Sequence, residues 1–307
     1  MESIVLTGGT GLVGRALAPY LLQKGYSVTI LTRKIPDSSK QQPGIHYALW
    51  DIKNNHIDTT AIEKATHIIH LAGAGVVDKR WSDAYKTEIE QSRVQGGLLI
   101  ARALQQTKHQ VKTLLCASAI GWYGADASIG APPFTETAPP AMDFLGHTCQ
   151  LWEQSTDAVT AVRVVKLRTG IVLSNEGGAL AEFKKPLALG IAAVLGTGQQ
   201  VVSWIHITDL CRMYVAAIQN NQLQGVYNAV APQPVSNKTL TLQLAKKIRG
   251  RFFIPINVPA WVLKIVMGES SVEVLKSCTV SSQKISQGGF TFLYPSIDAA
   301  LTELCHQ

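Results

Sequence analysis

The stretch TGGTGLVG, Thr7 to Gly14, constrains this chain more than any other, because it sets three spaced glycines between two segments of opposite periodicity. SIVLT before it has the apolar, β-branched character of a buried strand, and GRALAPYLLQKG after it has helical apolar spacing. In that context Gly8 permits a tight turn, Gly11 lets backbone approach a pyrophosphate, and Gly14 allows helix and strand to pack closely. Thr10, Leu12 and Val13 lie within the same turn and belong to the expected contact set.

The rest of the chain continues the alternation. YSVTILTR, THIIHLAG, VKTLLCAS and VRVVKLRTG read as further strands, and a long helix is expected from about Ser82 to Gln106, with Ile89, Val94, Leu98 and Ala101 at roughly helical spacing. Strands alternating with helices predict a doubly wound, Rossmann-type α/β fold with a parallel sheet and a site at the carboxyl ends of its strands. After about Asn237 the pattern changes to a helix ending in KKIRG, a proline-bearing FFIPINVP and GGFTFLYPSIDAAL. The expected division is residues 1–236 as the dinucleotide-binding domain and 237–307 as a small C-terminal domain.

Charge and cysteines narrow the function classes. The net charge of +7 comes from scattered basic residues rather than one stripe, so nucleic acid is not an expected partner. The apolar run Leu187–Leu195 is about half a membrane span, and MESIVLTGG lacks the basic and apolar regions of a leader, so a cytoplasmic protein without a membrane partner is expected. Five cysteines (Cys116, Cys149, Cys211, Cys278 and Cys305) are far apart without metal-ligand spacing and are expected to be reduced, with no metal bound. The expected partner is a small-molecule substrate. The sequence leaves a homodimer open.

The second strand ends LTRKIP. Where an NAD enzyme usually places an acid against the ribose 2′-hydroxyl, this chain has Thr32, Arg33 and Lys34, and a guanidinium there matches a 2′-phosphate. NADP(H) is the expected cofactor; a solvated strand end is the competing reading. HLAGAG, His70 to Gly75, closes the next strand with small residues, Ala72 and Gly73 among them, that let backbone pass beside a dinucleotide, and His70 reads as a packed strand residue.

Together with CASAIGWYG, DFLGHTCQLWE, LRTGIVLS, SWIHITDL and GGFTFLYP, these motifs resemble, over almost the whole chain, an extended short-chain dehydrogenase/reductase of the NAD-dependent epimerase/dehydratase superfamily. The resemblance is to its atypical "epimerase family protein" branch, which includes the SDR family 39U members. It implies that Glu88 and Arg93 touch NADP, with Arg93 standing where ordinary extended enzymes carry asparagine, and that Leu71 and Ala72 line the cofactor. A surface ion pair on a helix is the competing reading of Glu88 and Arg93.

The resemblance also exposes a departure. The usual Tyr-x-x-x-Lys pair, in which tyrosine handles the substrate proton and lysine lowers its pKa, is replaced by Leu145 and Cys149, while the following Glu153 is kept. Leu145, Cys149 and Trp152 form an apolar stripe, so Cys149 reads as packed rather than nucleophilic. Ser118 and Tyr123 in CASAIGWYG are the remaining catalytic candidates, although without a gap the usual catalytic hydroxyl aligns with Ala119. Asp78, Lys79 and Arg80 could face an anionic substrate, and Trp204 and His206 the substrate side, with Asp209 at or near a helix N-cap. Three functions stay open: an NADP(H)-dependent oxidoreductase or epimerase acting on a small hydroxyl, carbonyl or nucleotide-sugar-like compound; a non-catalytic NADP(H)-binding sensor or regulator; and, implied by the resemblance alone, a partner-binding role linked to plastid and cell division.

Overall fold

The computed structural model of the protein describes residues 1–160 and 162–305, so the last two positions of the expected C-terminal segment lie outside the described residues. Fourteen strands are described: β1 (Ser3–Thr7), β2 (Ser27–Thr32), β3 (Ile45–Asp51), β4 (His56–Ile57), β5 (His67–His70), β6 (Thr113–Ala119), β7 (Arg163–Thr169), β8 (Ile171–Leu173), β9 (Ile191–Leu195), β10 (Val201–Val202), β11 (Trp204–His206), β12 (Gly225–Ala229), β13 (Val235–Ser236) and β14 (Ile254–Val258). The helices are α1 (Leu12–Gln23), α2 (Thr59–Lys64), α3 (Asp83–Gln106), α4 (Phe144–Gln154), α5 (Ala179–Leu187), α6 (Ile207–Gln219), α7 (Asn237–Arg249), α8 (Ala260–Met267), α9 (Ser271–Leu275), α10 (Gln283–Gln287) and α11 (Ile297–Cys305).

Eight strands form the main sheet in the order β12-β7-β6-β5-β1-β2-β3-β4, parallel except that β4 runs against β3. All five strands expected from the sequence lie in it. The order reverses at β1, with β2 and β3 on one side and β5, β6 and β7 on the other, so a crevice opens between the carboxyl ends of β1 and β5. Alternation along each strand supplies two faces. Ile4 and Leu6 of β1 pack under α1 and α6 with Leu17, Leu21, Met213 and Tyr214, while Val5 packs on the opposite side with Ile62, Leu99, Ile100 and Leu104 of α2 and α3. β5 is buried at every position because strands flank it and helices cover it.

A third core holds Leu180 and Leu187 of α5, Trp204, Leu240 and Leu244 of α7, and Leu301 and Leu304 of α11. Its residues come from both sides of the expected boundary at 236/237, and Ile285 and Phe290 from beyond that boundary pack into the main core. The third core, that of the smaller lobe, is thus built from segments on both sides of position 236/237. Asp209 shows how the C-terminal segment docks, since its wholly buried carboxylate accepts from the amides of Leu293 and Tyr294, each at 2.9 Å, and pairs with Arg212 at 2.7 Å.

No helix among the described residues is long and apolar enough to cross a membrane, and no cluster of metal-ligand type is present among them.

Candidate functional site

The glycine turn fits the crevice with almost no spare volume. Gly8 has φ +70°, and a Cβ there would lie 2.8 Å from the Leu71 carbonyl carbon and 2.9 Å from the Ala72 nitrogen, so the ends of β1 and β5 touch as bare backbone. A Cβ on Gly14 would lie 2.3 Å from the Gly8 carbonyl oxygen. Gly11 is the N-cap of α1 with extended backbone, no side-chain cap and no acidic residue in the first turn, leaving the first amides of α1, Leu12 and Val13 among them, without a carboxylate partner. Thr10 is exposed on the rim of this turn. Opposite it, Gly178 abuts Leu12, and Arg15 donates to the Glu176 carbonyl at 3.0 Å, closing one side of the groove.

Thr7 fastens the turn to β5. Its hydroxyl accepts from the amides of Leu71 at 3.1 Å and Ala72 at 3.2 Å, and lies 2.8 Å from His70 Nδ1. With both lone pairs used, the hydroxyl donates to Nδ1 and leaves the proton of a neutral ring on Nε2. Burial pulls the pKa of His70 down to about 4, so the ring is a neutral structural element, in keeping with its reading from sequence.

Arg93 stands out in the groove. It projects from α3, is buried, packs against Gly73, lies 5.0 Å from the centre of the Trp152 ring, and donates to the Ile89 carbonyl at 2.8 Å. No carboxylate pairs with it among the described residues, and burial pulls its pKa below the usual arginine value. Glu88 lies elsewhere: it is exposed and meets Lys79 at 3.3 Å. The surface ion pair between Glu88 and Arg93 is therefore corrected, because residues five apart on a helix point to different faces. At the end of β2, Thr32 is half-buried and its hydroxyl donates to the Lys34 carbonyl at 3.0 Å, while Arg33 is exposed and has no ion-pair partner among the described residues.

The helix that departs from the usual pattern, α4, starts at Asp143, whose carboxylate accepts from Gly146 at 2.7 Å as an N-cap. Leu145, Cys149 and Trp152 are all buried, as their spacing predicts. Cys149 Sγ lies 3.7 Å from the Ala119 carbonyl, and burial pushes its thiol up to about 12, so almost no thiolate forms near neutrality. Thiol reagents are expected to label Cys149 slowly in the native protein. Cys149→Ala should cost about 1 to 2 kcal/mol in denaturant unfolding while leaving cofactor affinity within twofold; rapid labelling blocked by NADPH would contradict this.

Below α4 lies a network that sequence reasoning missed. Arg168 of β7 is buried and grips Glu153 with two bonds, Nε to Oε1 at 2.8 Å and Nη2 to Oε2 at 3.0 Å. Ser118 Oγ donates to the same Oε1 at 2.7 Å. Tyr123 Oη donates to Asn228 Oδ1 at 2.6 Å and accepts from Arg168 Nη1 at 3.1 Å, and the Trp122 ring stacks 3.6 Å from the guanidinium carbon. Glu136 joins by accepting from the Asn228 amide at 2.8 Å.

This network corrects the expectation that Ser118 and Tyr123 offer free hydroxyls to a substrate. Both are buried, both spend their protons on buried acceptors, and burial raises the Tyr123 phenol to about 12. Other expectations shift too. Arg80 donates to the carbonyls of Ile265 and Val266, tying the loop after β5 to α8 instead of facing solvent-borne anions. Trp204 is wholly buried with its indole N–H on the Gln233 carbonyl; His206 is the N-cap of α6, with Nε2 2.9 Å from Glu303, and Asp209 lies near it in the first turn.

A glycine turn at the reversal point of a parallel sheet, joined to a variant Tyr/Lys helix, defines an atypical extended short-chain dehydrogenase/reductase. The chain belongs to the NAD dependent epimerase/dehydratase family, whose model matches residues 4–229; a domain of unknown function, DUF1731, matches 258–304. It is 33% identical over 308 residues to Epimerase family protein SSP1921 of Staphylococcus saprophyticus, covering all of both chains. It is 32% identical to Epimerase family protein YfhF of Bacillus subtilis, covering 98% of this chain and 97% of that one. Among solved structures, human epimerase family protein SDR39U1 with NADPH superposes with TM-score 0.86 at 26% identity over 99% of each chain. The Thermus thermophilus UDP-glucose 4-epimerase complex with NAD shares the fold at TM-score 0.78 and 18% identity, over 99% of this chain and 98% of that one.

Proposed function

We propose that this protein is an NADP(H)-dependent oxidoreductase or epimerase of the extended short-chain dehydrogenase/reductase type, acting on a small hydroxyl or carbonyl compound. The observation that carries the reading is Arg93: a buried cation without a carboxylate partner among the described residues, beside a glycine cradle that a side chain would fill. A buried charge is costly unless an anion meets it, and a dinucleotide phosphate or its ribose hydroxyls would do so. The backbone of Gly8, Thr10, Gly11, Leu12 and Val13 would hold the pyrophosphate, Thr32 and Arg33 the 2′-phosphate end, and Leu71, Ala72, Gly73 and Arg93 the opposite half, with Glu88 exposed outside the groove. NADPH in the SDR39U1 structure supports this choice of cofactor. When bound, the nicotinamide exchanges a hydride with a carbon of the substrate.

A Cβ on Gly11 would make its nearest contact at 3.4 Å, to the Gly8 carbonyl, and its φ of −77° suits any residue. Gly11→Asp is therefore expected to fold normally, since aspartate is a favourable N-cap, yet to weaken NADPH at least about tenfold by placing a carboxylate where the pyrophosphate belongs. Calorimetry and a thermal melt on the same sample check both halves. Unchanged NADPH affinity would place the cofactor elsewhere.

The second reading, an NADP(H)-binding regulator without turnover, draws on the burial of Leu145, Cys149, Ser118 and Tyr123, which leaves no hydroxyl of the usual kind free at the end of β6. Oxidation of NADPH by any member of a carbonyl panel decides for the enzyme; binding without oxidation across the panel decides for the regulator.

A further inference from the structure

A cleft of about 140 Å³ opens at the carboxyl ends of β6 and β7, between the main sheet and the smaller lobe. Its walls include Ile120, Ile171, Phe183, Val202 and the Cys278 thiol, and its charged lining, among the described residues, is Glu273 and Lys276 on the C-terminal segment. It lies beside the strands β5 to β7 that form the second half of the doubly wound sheet, the half that takes the nicotinamide end of a dinucleotide in this architecture.

The chemistry of the lining is selective. Glu273 and Lys276 pair at 2.8 Å and leave the lining without net charge, and Asp143, outside the lining, lies 3.8 Å from the same ammonium. A nucleoside diphosphate would find neither an unpaired cation nor an arginine in the wall. The neutral polar residues are already committed to backbone: Gln200 donates to the carbonyls of Leu195 and Val274, Ser203 to that of Cys278, and Asn237 accepts from the Leu195 amide. Size agrees with charge. An apolar cavity of roughly 150 Å³ holds a molecule as large as benzene, whereas drug-sized ligands occupy clefts of roughly 300 Å³ and more.

We infer that this cleft is the substrate site and that it takes a small uncharged molecule with an apolar body and one carbonyl or hydroxyl group, the latter hydrogen-bonded at the Glu273–Lys276 end, rather than a nucleotide sugar. The inference rests on the NADP(H) reading only for its position relative to the hydride.

Saturation-transfer NMR on the full chain, with and without NADPH, tests it using cyclohexanone, the isosteric hydrocarbon methylenecyclohexane, and UDP-glucose as probes. Cyclohexanone is expected to give the strongest transfer and UDP-glucose none. Ala179→Phe, a substitution on the half-buried wall at the start of α5, should reduce the cyclohexanone signal at least tenfold while its melt and NADPH affinity match the unaltered protein. Glu273→Gln with Lys276→Met keeps the volume and should abolish the preference of ketone over hydrocarbon, which serves if the phenylalanine variant does not fold. UDP-glucose transfer that Ala179→Phe removes, or no cyclohexanone transfer in NADPH-loaded protein, would overturn the assignment. Cyclohexanone transfer in a protein that calorimetry shows not to bind NADPH would uphold the cleft and sink the cofactor reading instead.

Discussion

Replacing Arg168 by methionine is expected to destabilise the protein by about 3 to 5 kcal/mol, the usual cost of stranding one partner of a buried ion pair. The variant would leave the Glu153 carboxylate 6% exposed with Ser118 as its remaining side-chain donor, and would strip Tyr123 of a donor and Trp122 of its cation. The double variant Arg168→Met with Glu153→Leu should recover most of that loss, because apolar groups of similar volume need no partner. Denaturant unfolding of the four proteins in this cycle measures the coupling. A single variant within about 1 kcal/mol of the unaltered protein would show that the network is not what holds β6, β7 and α4 together. On this account Tyr123 and Ser118 belong to the scaffold, and the usual motif's surviving glutamate is kept for its grip on Arg168.

Arg93→Leu is expected to act in the opposite sense on stability and strongly on binding. Arg93 is a buried cation without a carboxylate partner among the described residues, so in an uncharged leucine variant the relief of burying no charge should offset the shorter side chain's lost packing and leave the melting temperature unchanged or raise it. The same change should weaken NADPH about 100-fold, since losing a buried charge-assisted contact of roughly 3 kcal/mol corresponds to two tenfold steps of about 1.4 kcal/mol each. The divergence of the two readouts is the informative part. A fall in stability with unchanged affinity would make Arg93 a packing residue stacked on Trp152 and nothing more.

The two substitutions also show what was legible in the sequence. The glycine turn and the five main strands could be read directly, because their signals are local: spacing of glycines and β-branched runs. The inward face of α3 could not. Ile89 and Ala101 are buried as expected, but Leu98 is 39% exposed while Arg93, Gly96 and Gly97 face inward. The reason is close approach rather than hydrophobicity: a Cβ on Gly96 would lie 2.9 Å from the His70 ring and one on Gly97 would lie 1.9 Å from Ser155 Oγ. Paired glycines inside a long helix were the available signal. VRVVKLRTG carried another, since Lys166 and Arg168 sit two apart in an apolar strand and so share one buried face. Two buried cations demand acids, yet their partners, Glu153 and Asp157, come from α4 and the turn after it, and no local pattern links them to the strand. The smaller lobe was hidden for the same reason, its core being assembled from segments on both sides of β12.

The most direct test of the account is the affinity of the unaltered protein for NADPH and NADH, measured side by side by calorimetry, with Arg33→Asp as the paired variant. Arg33 stands exposed at the end of β2, where a guanidinium suits a 2′-phosphate and an aspartate would repel it. The account predicts NADPH binding at least about tenfold tighter than NADH in the unaltered chain, and loss or reversal of that preference in the variant. Equal affinities in the unaltered chain, or a preference that survives Arg33→Asp, would contradict it.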